Sequence, residues 1–125
     1  MDSKIVPKDI KLLNKSRLME LIYDDYSCQL SYEFLRIHSP SAEVKGHNPS
    51  QYTLQLNKVN IFVKKVELVG SYAIRIIFDD GHETGLYSWE YLEHLVKNKN
   101  KLWDEYLCAI QKAGHNRQDW LGANI

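Results

Sequence analysis

"VELVGSYAIRIIFDDGHETGLYSW", Val66 to Trp89, decides the fold. Tyr72, Ile74, Ile76 and Phe78 fall on one face of a period-two run, with Ala73, Arg75 and Ile77 on the other, so this segment is expected to be a central strand. Asp80-Gly81 accepts positive φ at both central positions of a tight hairpin turn, and "HETGLY" should return antiparallel to it. Upstream, Gly70-Ser71 is a second turn. Val59, Ile61 and Val63 alternate with polar neighbours, and Val66 and Leu68 continue one position out of phase, which marks a bulge at Lys64-Lys65. That lysine pair reads as a solvated edge.

Before this core, "DIKLLN" and "RLMELIYDD" are β-compatible runs separated by the turn formers Asn14, Lys15 and Ser16, a hairpin. Ser31 then serves as N-cap of a short helix carrying Phe34 and Leu35 inward, with Leu30 and Leu35 placed to staple its start. After the core, Ser88 caps a helix in which Tyr87 and Leu92 form a second staple and Trp89, Leu92, Leu95 and Val96 make the apolar stripe. "KNKN" breaks it. A last helix carries Leu102, Trp103, Tyr106, Leu107 and Ile110 at helical spacing, with Asp104 and Glu105 in its first turn, Lys112 in its last and Gly114 as C-terminal cap. The expected class is α+β: an antiparallel sheet built from hairpins, one short helix in mid-chain and two C-terminal helices packed on the sheet.

The 125 residues suffice for one domain with a real core, and residues 118–125 read as a loose tail. Apolar residues at 44% and charged residues at 26% are ordinary globular values, which argues against disorder. Sixteen basic and sixteen acidic side chains cancel, so the field that drives binding to a phosphate backbone is missing and nucleic acid is not an expected partner. Cys28 and Cys108 form no CxxC or disulfide framework and are expected to be buried thiols in a reducing compartment. No signal-peptide h-region and no bilayer-length apolar run is found, so the expected location is cytoplasmic.

For metal chemistry the candidates are His38, Glu43, His47 and His82, since imidazole and carboxylate suit zinc or iron(II). Their spacing matches no compact ligand motif. For nucleophilic catalysis, Ser39 or Ser41 beside His38 lacks a GxSxG elbow. The same stretch is explained by backbone chemistry: Ser39 as N-cap, Pro40 at the first helical position, Glu43 at the positive end of the dipole, and Gly46 and Pro49 as terminators. Asp79, Asp80 and His82 could form an acid/base pair, but a DG turn calls for the same residues. Trp89 and Trp103 lie on stripes that already need a core partner.

The motifs LR-x-x-SPSAEV-x-GH, VG-x-YA, F-x-DGH-x-TG-x-YSW and LW-x-x-YL occur together in order, and the chain from about Ile5 to Arg117 resembles the domain named for the N-terminal region of gamma-butyrobetaine hydroxylase, a domain of unknown function. In the eukaryotic hydroxylases, the resemblance implies a structural zinc held by three cysteines of a CPC-x-x-C segment and the histidine of a DGH-like turn. Here the aligned cysteine positions are Ser39, Ser41 and Val44, and His82 alone is retained. A neutral hydroxyl is a poor zinc ligand and valine is none, so that site cannot form as it does there. The dioxygenase domain is absent too, which makes this chain a non-enzyme by expectation.

Similar members with SPSAE in place of the cysteines stand alone in bacteria or are fused to P-loop ATPases that carry iron-sulfur clusters. The resemblance therefore implies a noncatalytic accessory or docking role, with an iron-sulfur carrier ATPase or a metalloenzyme as partner and no resident cofactor. A metal-binding module is the competing expectation: Glu43, His47 and His82 would hold zinc or iron once the SPSAE loop packs on the DGH turn.

Overall fold

The computed structural model describes residues 6–40, 58–83 and 85–114. Strands β1 (Asp9–Leu13), β2 (Leu18–Ile22) and β3 (Ser27–Ser31) form one antiparallel sheet in sequence order. Helix α1 (Tyr32–Ile37) follows directly. Strands β4 (Val63–Val69), β5 (Ala73–Phe78) and β6 (Leu86–Ser88) form a second antiparallel sheet, again in sequence order, and α2 (Trp89–Lys97) and α3 (Lys99–Lys112) complete the α+β fold. The hairpin-built architecture is as expected, with the strands divided between two sheets.

The first hairpin turns through Asn14 to Arg17, where Arg17 takes the left-handed conformation at φ 54. Helix α1 holds this turn: the Tyr32 N–H donates to the Arg17 carbonyl at 2.9 Å, and the Tyr32 hydroxyl donates to Asn14 Oδ1 at 2.7 Å. Strand β3 was not legible in the sequence. The chain does not run on through Tyr23-Asp24-Asp25 as a strand; the Tyr23 N–H reaches the Tyr26 carbonyl at 2.8 Å, turning the chain so that both carboxylates face water.

Strand β5 is the central one. Ile74, Ile76 and Phe78 are buried on its inner face, whereas Tyr72 lies in the preceding turn and is 47% exposed. The register shifts between Val63 and Lys65, so the bulge sits where the phase change placed it, and both lysines are exposed. The β5 turn differs from the expected two-residue form. Only Gly81 has positive φ, at 88°, and the Phe78 N–H bonds the His82 carbonyl at 3.0 Å around Asp79, Asp80 and Gly81. This is a three-residue loop closed by a left-handed glycine. It is favoured because Asp79 is drawn onto the segment just before β4: its N–H donates to the Phe62 carbonyl at 2.9 Å and its Oδ1 accepts the Phe62 N–H at 3.1 Å.

The core lies where Met19, Leu21 and Leu30 meet Ile74, Ile76 and Phe78, closed by Leu35, Tyr87, Leu92 and Leu95. Leu35, Leu92 and Leu95 are fully buried, and each such side chain contributes about 1.5–3 kcal/mol by removal from water. Leu102 and Trp103 are only half-buried, so α1 and α2 anchor the sheets more firmly than the first turns of α3. Asn98 ends α2 by donating its N–H to the His94 carbonyl at 3.0 Å, and α3 starts at once at Lys99. Asp104 and Glu105 therefore stand in the second turn of α3, a correction to the sequence reading, and its first turn holds no acid. Gly114 takes φ 84 past the helix end as expected. Cys108 is exposed and Cys28 half-buried, so the expectation of two buried thiols does not hold. Tyr106 and Ile110 set the inward stripe of α3, and Cys108 lies between them on the opposite side. Among the described residues, no helix is long and apolar enough to cross a membrane.

Ser88 accepts the Tyr91 N–H at 3.1 Å and Ser31 accepts the Phe34 N–H at 3.0 Å, the two N-caps legible in the sequence. Ser88→Ala is expected to lower stability by about 1 kcal/mol, measured by urea unfolding. An unchanged midpoint would mean that water replaces the cap without cost.

Candidate functional site

The chemistry-bearing side chains gather where the chain leaving α1 crosses the DDGH turn. Ser39 Oγ and His82 Nε2 lie 2.7 Å apart. Both are buried, at 0% and 8% exposure. His82 is positioned from its own turn: its N–H donates to Asp80 Oδ1 at 3.1 Å and its carbonyl accepts from Phe78. The other carboxylate oxygen, Asp80 Oδ2, accepts from Arg36 Nε at 2.9 Å and Lys58 Nζ at 2.7 Å. Partial burial pushes the Asp80 carboxyl up, but the Lys58 hydrogen bond, the His82 N–H and the Arg36 charge outweigh it and hold the group at about 2, against an ordinary 3.8. The Arg36 guanidinium also lies 5.9 Å from the Phe78 ring centroid.

Tyr87 closes the inner side. Its hydroxyl donates to the Leu35 carbonyl at 2.6 Å, and burial pushes its pKa well above the usual phenol range, eased by a hydrogen bond with Ser39. Ser39 thus stands between the His82 imidazole and the Tyr87 hydroxyl, and Tyr87 donates to the end of α1; which of Ser39 and His82 donates is set by the imidazole tautomer. Gly85 leaves room for this. A Cβ there would run into Ser39 Oγ and come within 3.1 Å of Pro40 Cδ. On the outer side, the Tyr91 hydroxyl donates to the His38 carbonyl at 2.6 Å, so α1, the loop entrance, the DDGH turn, β6 and α2 all converge on Ser39.

His38, a candidate ligand from sequence, directs Nδ1 to the Phe34 carbonyl at 2.9 Å at the C-terminal end of α1. The serine–histidine contact forms between Ser39 and His82, not between Ser39 and its neighbour His38. Ser41, Glu43, Val44 and His47, together with the helical turn read from Pro40 to Pro49, lie outside the described residues beyond Pro40. Among the described residues, no three of His, Cys, Asp and Glu come together to hold a metal ion. The family's thiolate zinc set does not fit here either, because the His82 nitrogen faces a hydroxyl where that site needs sulfur. Sequence reasoning missed Arg36, Lys58, Gly85 and Tyr87. The signal for three of them was the motif frame, where LR, TG and YSW flank the SPSAE and DGH elements.

The fold and this junction define a small α+β module in which Ser39, just past α1, is pinned to a DGH turn. The chain belongs to the gamma-butyrobetaine hydroxylase-like N-terminal family, whose model matches residues 10–93. It is similar to a protein with an NMR solution structure at 44% identity, covering 92% of this chain and 91% of that one with a TM-score of 0.80. A second protein solved by NMR shares 40% identity over 94% of this chain and 90% of its own, with a TM-score of 0.77. A third, the crystal structure of a DUF971-family protein of unknown function from Acidithiobacillus ferrooxidans, shares 34% identity over 76% of this chain and 97% of its own, with a TM-score of 0.63. No curated protein matches the chain.

Proposed function

We propose that the chain is a noncatalytic accessory module that docks onto a protein partner, an iron-sulfur carrier ATPase or a metalloenzyme, in the cytoplasm. The observation that carries this reading is the burial of the Ser39–His82 pair: its polar atoms are engaged inside the fold and Ser39 has no exposed surface for a substrate to reach. The partner class rests on the resemblance of the SPSAE-type chain to members fused with iron-sulfur ATPases. Crosslinking of the tagged chain at native expression in its own host, followed by titration calorimetry with the purified protein recovered, tests it. An iron-sulfur carrier or metalloenzyme binding in the purified pair is expected. Failure of every such protein to bind the pure chain would end the docking reading.

A second reading is a metal module using Glu43, His47 and His82. It is favoured by the position of His82, which touches Ser39 at the entrance to the very segment that carries Glu43 and His47. Elemental analysis of untagged protein purified without chelator, beside His82→Ala and His47→Ala, separates the two. Stoichiometric zinc or iron lost in both variants would establish the metal module and overturn metal-free docking. Absence of metal after aerobic and anaerobic reconstitution would remove the second reading.

A further inference from the structure

Two clefts of about 240 and 460 Å³ open on either side of Trp103 and share Ser31 between them. Leu18 lines the first beside Trp103, and both are half-buried over the buried Phe34 ring, so Leu18 and the indole make an apolar floor. Lys99 lines the far end of the first cleft and Arg17 the second. Lys99 Nζ donates to the Gln29 carbonyl at 2.6 Å, and neither cation makes an ion pair among the described residues. Arg17 is moreover exposed and fixed in a left-handed turn that α1 holds in place. The first turn of α3, which contributes Lys99 and Asn100 to the first cleft, has no acid and no side-chain cap, so its positive end adds to Lys99. Glu33 is the acid of the groove; it lies in the second cleft and is 4% exposed.

On the docking reading above, we infer that this groove is the docking surface and that its occupant is an acidic, extended segment of the partner protein. An apolar side chain of that segment seats on Leu18 and Trp103, and carboxylates on either side of it meet Arg17 and Lys99. Charge complementarity selects the acid. The chain as a whole is neutral, with sixteen charges of each sign, so attraction for an acidic peptide must come from this local pair and not from the global field.

Selection from a displayed library of random decapeptides tests it, with wild type as bait and Arg17→Glu/Lys99→Glu as counter-bait. The fold should survive both substitutions: Arg17 is exposed, and at position 99 the loss of the exposed bond to the Gln29 carbonyl is offset by a carboxylate at the positive end of α3. Peptides rich in Asp and Glu around one apolar residue are expected, with proton–nitrogen shifts centred on the Trp103 indole. The double variant should bind them about tenfold more weakly or worse, and should instead bind the same peptides with lysine in place of each acid. Peptides that bind both proteins equally, shifts that map elsewhere, or no enrichment at all would overturn the groove. An iron-sulfur protein that still binds wild type and double variant alike would then place docking on another face, whereas binding to neither protein would count against docking itself.

Discussion

Asp80→Asn is expected to lower the unfolding free energy by about 1.5–3 kcal/mol, below the usual cost of breaking a buried ion pair because Asp80 is partly open to water. Its carboxylate neutralises Arg36, whose side chain is 8% exposed, and steadies Lys58, while its second oxygen holds the His82 N–H. The amide removes the charge and leaves a cation buried beside Phe78. Because the folded Asp80 titrates at about 2 and the free carboxyl near 3.8, its contribution is complete above about pH 4 and is lost as pH falls toward 2. Urea unfolding of wild type over that window should therefore weaken more steeply than Asp80→Asn, and the two curves should converge at low pH. Adding Arg36→Met to Asp80→Asn should recover part of the loss, since an apolar side chain tolerates the site without a counterion. An Asp80→Asn protein within about 0.5 kcal/mol of wild type at pH 7 would show that the network is solvated and incidental.

What was legible in the sequence was local. Ser31 and Ser88 as caps, the bulge at Lys64-Lys65 and the left-handed Gly114 each follow from one or two residues and their immediate neighbours. Strand β3 was hidden because Cys28, Gln29 and Leu30 between two serines offer little intrinsic strand preference; they are extended because β2 pairs with them. The form of the DDGH turn was hidden for a related reason, since Asp79 pairs with Phe62, seventeen positions away. At the site, the resemblance set Ser39 and His82 at positions of one ligand set, and the two side chains lie 2.7 Å apart. Spacing alone paired Ser39 with His38. No periodicity could bring Arg36 to Asp80, because they are 44 positions apart and the packing of β4 and β5 between them decides the meeting.

Gly85→Ala should destabilise the chain by about 2–4 kcal/mol, the sum of overpacking and a disturbed buried hydrogen bond. The new methyl would occupy the space of Ser39 Oγ, with Pro40 Cδ at 3.1 Å and Ser39 Cβ at 3.5 Å close beside it. Ser39→Ala by itself removes the buried hydroxyl that links His82 and Tyr87, for a loss of about 1–3 kcal/mol. In the double variant each change relieves the other, because the oxygen that the methyl strikes is gone. The combined loss should fall short of the sum by about 1–2 kcal/mol. A cycle of this kind measures whether the SPSAE entrance, the DGH turn and the TG step are one packing unit. Strict additivity would mean that Gly85 and Ser39 act separately and that the contact only records proximity. A clear coupling, with the His82 ring resonances shifted in both single variants, would show that the hydrogen bond and the close packing at Ser39 hold the end of α1, the DGH turn and the TG step together as one unit.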